Sequence, residues 1–180
     1  VKSSRATLNF YGMIDVGLEA LKSDFAGGKD DSLRVSNGMI TPHFGVRGSG
    51  VVGGGLQGLF NLEGSFAPDN GVSGIGGRLF GRQAYVGLSG AFGRVTLGRQ
   101  YTMVRMGWED ANPYGTGNQG LRLLDGRISN PRADNSISYR GKWGPVSAGV
   151  NLSAGWDAVN GNAANTGPAN AAGSNCPGEF

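Results

Sequence analysis

At 180 residues, with 35 glycines and an apolar share of 38%, the chain supplies too few core-forming side chains for an ordinary soluble core of its length. Its formal charge of +3 arises from basic and acidic residues scattered among one another, which gives no support to the clustered cationic face of a nucleic-acid-binding module. Cys176 is the one cysteine and His43 the one histidine, so the chain cannot close an internal disulfide, offers no Cys or His cluster for a metal and shows no plausible set of nucleophile, base and orienter; no cofactor is expected.

The first predicted strand covers 6–20, where Leu8, Phe10, Gly12, Ile14, Val16 and Leu18 alternate with Asn9, Tyr11, Met13, Asp15, Gly17 and Glu19. A long connection, 21–38, carries Asp30 and Asp31, which lack the loop spacing of a divalent-cation site and read as solvated charge. In the second strand, 39–49, Ile40, Pro42, Phe44 and Val46 oppose Thr41, His43, Gly45 and Arg47, and a brief turn at 50–54 follows. The third, 55–67, sets Leu56, Gly58, Phe60, Leu62 and Phe66 against Gln57, Leu59, Asn61, Glu63 and Ser65, with Leu59 the one intruder.

Beyond the Gly-rich connection 68–77, strands are predicted at 78–90 and 93–102 around a short turn at 90–93. Strict alternation over 78–90 puts Arg82 on the face of Ala84, Val86 and Leu88, and leaves open which face of that strand is apolar. The longest internal connection, 103–133, holds Arg105, Glu109, Asp110, Arg122, Asp125 and Arg127. Strands at 134–142 and 145–156 flank a turn at 141–144; in the last, Val146, Ala148, Val150, Leu152, Ala154 and Trp156 oppose Ser147, Gly149, Asn151, Ser153 and Gly155. Trp143 and Trp156 bracket this strand at about the spacing of the two aromatic girdles of a membrane barrel. The remainder, 157–180, is Gly-, Ala- and Asn-rich and reads as loop.

A wall with hydrocarbon on one side and water on the other requires this sorting, and tight turns alternating with long connections give it the loop asymmetry of an outer-membrane barrel. The expected fold class is therefore all-β, a transmembrane antiparallel β-barrel. About seven strands would leave two open edges, so residues 1–180 are expected to be the amino-terminal part of a longer barrel. Val1, with no signal peptide before it, suits a processed exported chain. An enzyme is disfavoured, because the chain has no Gly-x-Ser-x-Gly elbow and a single histidine. A structural or adhesive outer-membrane barrel without transport activity is the alternative reading. The polar face of Asn, Gln, Ser, Asp, Glu and Arg favours a wet interior over one that holds an apolar ligand.

Several stretches are more specific than alternation. Leu8-Asn9-Phe10-Tyr11-Gly12-Met13-Ile14-Asp15-Val16-Gly17, Phe44-Gly45-Val46-Arg47-Gly48-Ser49, Leu79-Phe80-Gly81-Arg82-Gln83-Ala84-Tyr85-Val86-Gly87-Leu88-Ser89 and Phe92-Gly93-Arg94-Val95-Thr96-Leu97-Gly98-Arg99-Gln100-Tyr101 follow one another in an order that resembles the general diffusion porins of β-proteobacterial outer membranes. The resemblance implies a multi-pass homotrimer in outer-membrane lipid, each barrel of about sixteen strands, passing small ions and hydrophilic solutes with anions preferred. It also implies a third loop, 103–133 here, that folds inward and narrows the pore with carboxylates facing wall arginines. Carried over by position, Arg82 and Arg132 would be wall arginines, Glu63 a luminal glutamate, and Glu109, Asp110 and Asp125 the loop carboxylates. Where the family has Ser-Arg before an aromatic residue and Gly, this chain has Pro42-His43-Phe44-Gly45, so His43 replaces an arginine; Arg47 lies with it on the polar face.

Overall fold

The computed structural model describes residues 6–25, 28–38, 40–111 and 131–155. Among them are nine strands: β1 Ala6–Met13, β2 Val16–Phe25, β3 Gly28–Asn37, β4 His43–Gly53, β5 Leu56–Ser65, β6 Gln83–Gly90, β7 Gly93–Tyr101, β8 Arg132–Trp143 and β9 Val146–Gly155. A single helical turn, α1 (Gly74–Gly77), follows β5, and a longer helix, α2 (Met103–Ala111), follows β7. Seven strands form one antiparallel sheet in the order β1-β4-β5-β6-β7-β8-β9, while β2 and β3 pair only with each other. The short turns of β4–β5, β6–β7 and β8–β9 fall at one end of this meander, and the longer connections fall at the other.

Two predicted elements are corrected. The strand predicted over 6–20 breaks at Ile14–Asp15, where the β1–β4 ladder ends at Met13↔His43. Asp15 seals the break: its carbonyl accepts from Gly38 N at 3.1 Å and its carboxylate from Ile40 N at 2.8 Å. The connection predicted at 21–38 instead belongs to the hairpin β2–β3, which pairs from Val16↔Asn37 to Phe25↔Gly28 and carries an exposed Arg34–Glu19 pair. The other strands stand within a few residues of their predicted places. The largest shift is at 78–82, which forms turns before β6.

Register carries the alternation from strand to strand. Phe10 faces Val46, Val46 faces Leu62, and Phe60 faces Val86, which faces Leu97, Ile137 and then Leu152 along successive ladders. The intervening positions place Asn9, Arg47, Asn61, Tyr85, Thr96, Ser138 and Asn151 on the other face. The result inverts a soluble protein. Phe10 is 80% exposed, Leu152 67% and Val86 58%, whereas the buried positions among the described residues are mostly polar, Asn61, Glu63, Arg82, Thr96, Gln100 and Arg132 among them, and the buried apolar side chains are few and small, Ile75, Ala133, Pro42 and Pro131. An extensive apolar surface of this kind requires a partner phase or surface.

Between β7 and β8 the register slips at Gly98–Gln100, where Gly98 has φ of +125° and Asn135 of +47°. Arg99, which strand parity would set with Val95 and Leu97 on the apolar side, is turned into a buried pair with Asp134.

Candidate functional site

The polar face is organised around a row in which Tyr11, Gly45 and Glu63 lie directly opposite one another on β1, β4 and β5. A Cβ at Gly45 would come within 2.7 Å of the Tyr11 ring and hydroxyl and 2.8 Å of Leu62 O. Glycine there lets the phenol cross a whole strand. Tyr11 Oη lies 2.6 Å from Glu63 Oε2, to which it donates, and 2.9 Å from Asn61 Oδ1. Arg82 Nε donates to the other carboxylate oxygen, Oε1, and Arg82 N to Glu63 O at 3.0 Å. Because Arg82 precedes β6, strand parity does not bind its side chain, and it reaches the polar face.

The Arg47 guanidinium lies over the Tyr11 ring at 5.0 Å from the centroid, and the His43 ring meets Tyr11 edge-on at 6.5 Å. His43 Nδ1 is 2.9 Å from Thr41 O, an acceptor, which makes Nδ1 the donor and leaves Nε2 for other contacts. Tyr11, Arg47, Asn61 and Glu63 line a concavity of about 430 Å³ that extends to Arg94.

A second group gathers at the start of the connection after β7. Tyr101 has two cations over its ring, Arg105 at 5.2 Å and Arg132 at 5.3 Å from its centroid. Thr102 opens α2, its Oγ1 accepting from Arg105 N at 3.3 Å, as an N-cap does. Arg105 then binds Glu109 one turn on, at 2.6 and 3.0 Å. The helix lies across the polar face, with Met103 over Gly149 of β9. Glu109 is within electrostatic range of Arg82, which links the two groups. Beside them Asp134 holds Arg78 at 3.0 Å and Arg99 at 2.6 Å.

Of the residues singled out from the sequence, Glu63, Arg82, His43 and Arg47 come together around Tyr11, while Arg132 and Glu109 join through Tyr101 and Arg105. Asp110 belongs to the last turn of α2, and its side chain lies outside the described residues, as do Asp125, Trp156 and Cys176. Sequence reasoning missed Tyr11, Arg78, Arg99, Tyr101 and Asp134. The one available signal was aromatic: Tyr11 stands among polar residues on its face, where a phenol needs a partner. Together the group holds six guanidiniums, Arg47, Arg78, Arg82, Arg99, Arg105 and Arg132, against three carboxylates, Glu63, Glu109 and Asp134. Each arginine is fixed by a carboxylate or an aromatic ring, so its charge stays in place without reorganisation.

Comparison with known proteins gives this arrangement its context. The family described as Gram-negative porin matches residues 2–176. The chain is 33% identical over 154 residues to an outer membrane porin protein of Bordetella pertussis, covering 76% of this chain and 40% of that protein. It is 37% identical over 97 residues to outer membrane porin protein 32 of Delftia acidovorans, covering 53% of this chain and 26% of the relative. Among solved structures it resembles the anion-selective porin from Comamonas acidovorans, with a TM-score of 0.69 and 28% identity over 83% of this chain and 47% of that one. The chain spans less than half the length of each of these relatives.

Proposed function

The chain belongs to the Gram-negative porin family, and from that premise we propose that the whole protein is an outer-membrane channel for passive diffusion of small hydrophilic solutes and ions, with anions preferred. In this reading the seven-stranded sheet is part of a closed barrel of about sixteen strands, its apolar face in lipid and its polar face on water, and three barrels associate as a homotrimer. The connection 103–133 folds into the channel. Glu63, Arg82, Arg132, His43, Arg47 and Glu109 line its narrowest part, together with Asp110 and Asp125.

The observation that carries the proposal is the surplus of fixed guanidiniums over carboxylates on one polar face. An ion entering a narrow aqueous pore loses part of its hydration, and nearby fixed charges of opposite sign compensate that loss. A surplus of positive charge in low-dielectric walls raises the local anion concentration. Opposed carboxylates keep the well shallow, so an anion can also leave. Arginine suits the task because it stays charged at any relevant pH and its fork matches carboxylate and phosphate oxygens. The relation to a porin named as anion-selective points the same way. The test is the reversal potential of the complete protein in a planar bilayer under a potassium chloride gradient. A potential of the sign set by chloride supports the proposal, and a cation-selective potential or the absence of stepwise conductance refutes it.

A further inference from the structure

Where the concavity of the Tyr11 group ends at Arg94, β7 and β8 place two like charges face to face. Arg94 and Arg140 are direct partners across the ladder, and each has the parity of the polar face. Like charges directly opposite one another destabilise a sheet. No ion pair or hydrogen bond joins either guanidinium to a carboxylate among the described residues, and Arg140 Nε is buried with no hydrogen-bond partner. Lys142 follows Arg140 on the same face. Met103 and Met106 of α2 share with these cations the lining of a concavity of about 610 Å³, and Met103 Sδ and the Arg140 side chain both lie against Gly149. Thioethers are adaptable apolar surfaces that accept bodies of varied shape.

We propose that this concavity is a binding station for amphipathic organic monoanions, compounds with a carboxylate head and a small apolar body, distinct from the Tyr11–Glu63–Arg82 group. The head pairs with Arg94 and Arg140 and supplies the buried Nε with its missing acceptor. The body lies against Met103 and Met106. A solute with the head alone gains the ion pairs but not the apolar contact, so the station discriminates by the tail. The inference rests on the reading of this face as a channel lining, since the ligand arrives through it.

The test uses the complete protein in detergent, with binding of hexanoate and of acetate followed by saturation-transfer NMR, which does not depend on conduction. Hexanoate should bind at least about tenfold more tightly than acetate, as several buried methylenes imply. Arg140→Gln should weaken hexanoate about tenfold, in line with loss of a charged hydrogen bond. Arg94→Gln should weaken it similarly and yet raise the denaturant midpoint, because the like-charge pair is relieved. Met106→Ser should reduce the preference for hexanoate over acetate. Equal binding of the two anions, no binding, or hexanoate affinity unchanged in both arginine variants would overturn the proposal. Chloride selectivity measured on the same preparation reports separately on the channel reading: anion-selective conductance without hexanoate binding would sink the station alone.

Discussion

Replacing Tyr11 by Phe removes one oxygen from the centre of the polar network and leaves ring, strand and charge unchanged. The lost bond runs to a carboxylate at 2.6 Å whose side chain is 7% exposed. A hydrogen bond to a charged partner contributes about 1.5–3 kcal/mol, so we expect a loss of about 2 kcal/mol. Glu63 keeps its bond from Arg82, which limits the damage. Glu63→Gln alone should cost more, about 3–5 kcal/mol, because it strands an arginine that is only 11% exposed. In the Glu63→Gln background the phenol meets a neutral amide, and Tyr11→Phe should then cost about 1 kcal/mol. The two substitutions are thus coupled by about 1 kcal/mol. Urea unfolding of the complete protein from lipid vesicles, followed by tryptophan fluorescence, measures all four corners of the cycle. A Tyr11→Phe loss below about 0.5 kcal/mol, or strict additivity with Glu63→Gln, would refute the assignment of Tyr11 as a structural donor to this carboxylate.

Gly45→Ala should cost about 1–3 kcal/mol in the same unfolding assay, since its new methyl group meets both the Tyr11 ring and Leu62 O. Val86→Arg, on the apolar face, should destabilise the protein in vesicles by about 2–4 kcal/mol. Gln57→Arg, exposed on the polar face of β5 between Val51 and Ser89, should stay within about 0.5 kcal/mol of the parent; comparable losses at the two sites would contradict the sorting of faces. Asp134→Asn removes the carboxylate shared by Arg78 and Arg99 and should cost about 3 kcal/mol or more, whereas Arg78→Gln, which leaves the 2.6 Å Arg99 pair intact, should cost clearly less.

The sheet was legible because its signal is local. Alternation of Leu8, Phe10 with Asn9, Tyr11, or of Val146, Val150, Leu152 with Ser147, Asn151, Ser153, needs only neighbouring residues, and the ladders reproduce it on one face throughout. The strand break at Ile14–Asp15 was not legible, since alternation continues through it and the groups that hold it, Gly38 N and Ile40 N on Asp15, lie more than twenty residues on. Arg82 was ambiguous for a related reason: parity was extended over 78–90, while the strand begins at Gln83. Arg99 follows the same logic, redirected by a bulge that depends on Gly98 of one strand and Asn135 of the next. The contacts of the polar group join positions far apart in the chain. Tyr11 meets Glu63 across 52 residues, and Arg78 meets Asp134 across 56. Side-chain type signalled what each could do, but only register decided which of them met.

The division between a lipid face and a water face is tested most directly along β6. In a Cys176→Ser background of the complete protein, single nitroxide labels are placed at each position from Gln83 to Ser89 in vesicles, and their collision rates with oxygen and with a water-soluble nickel chelate are compared. The account predicts a period of two, with 84, 86 and 88 favouring oxygen and 83, 85, 87 and 89 favouring nickel. Equal nickel access on both sets would show both faces in water and contradict it.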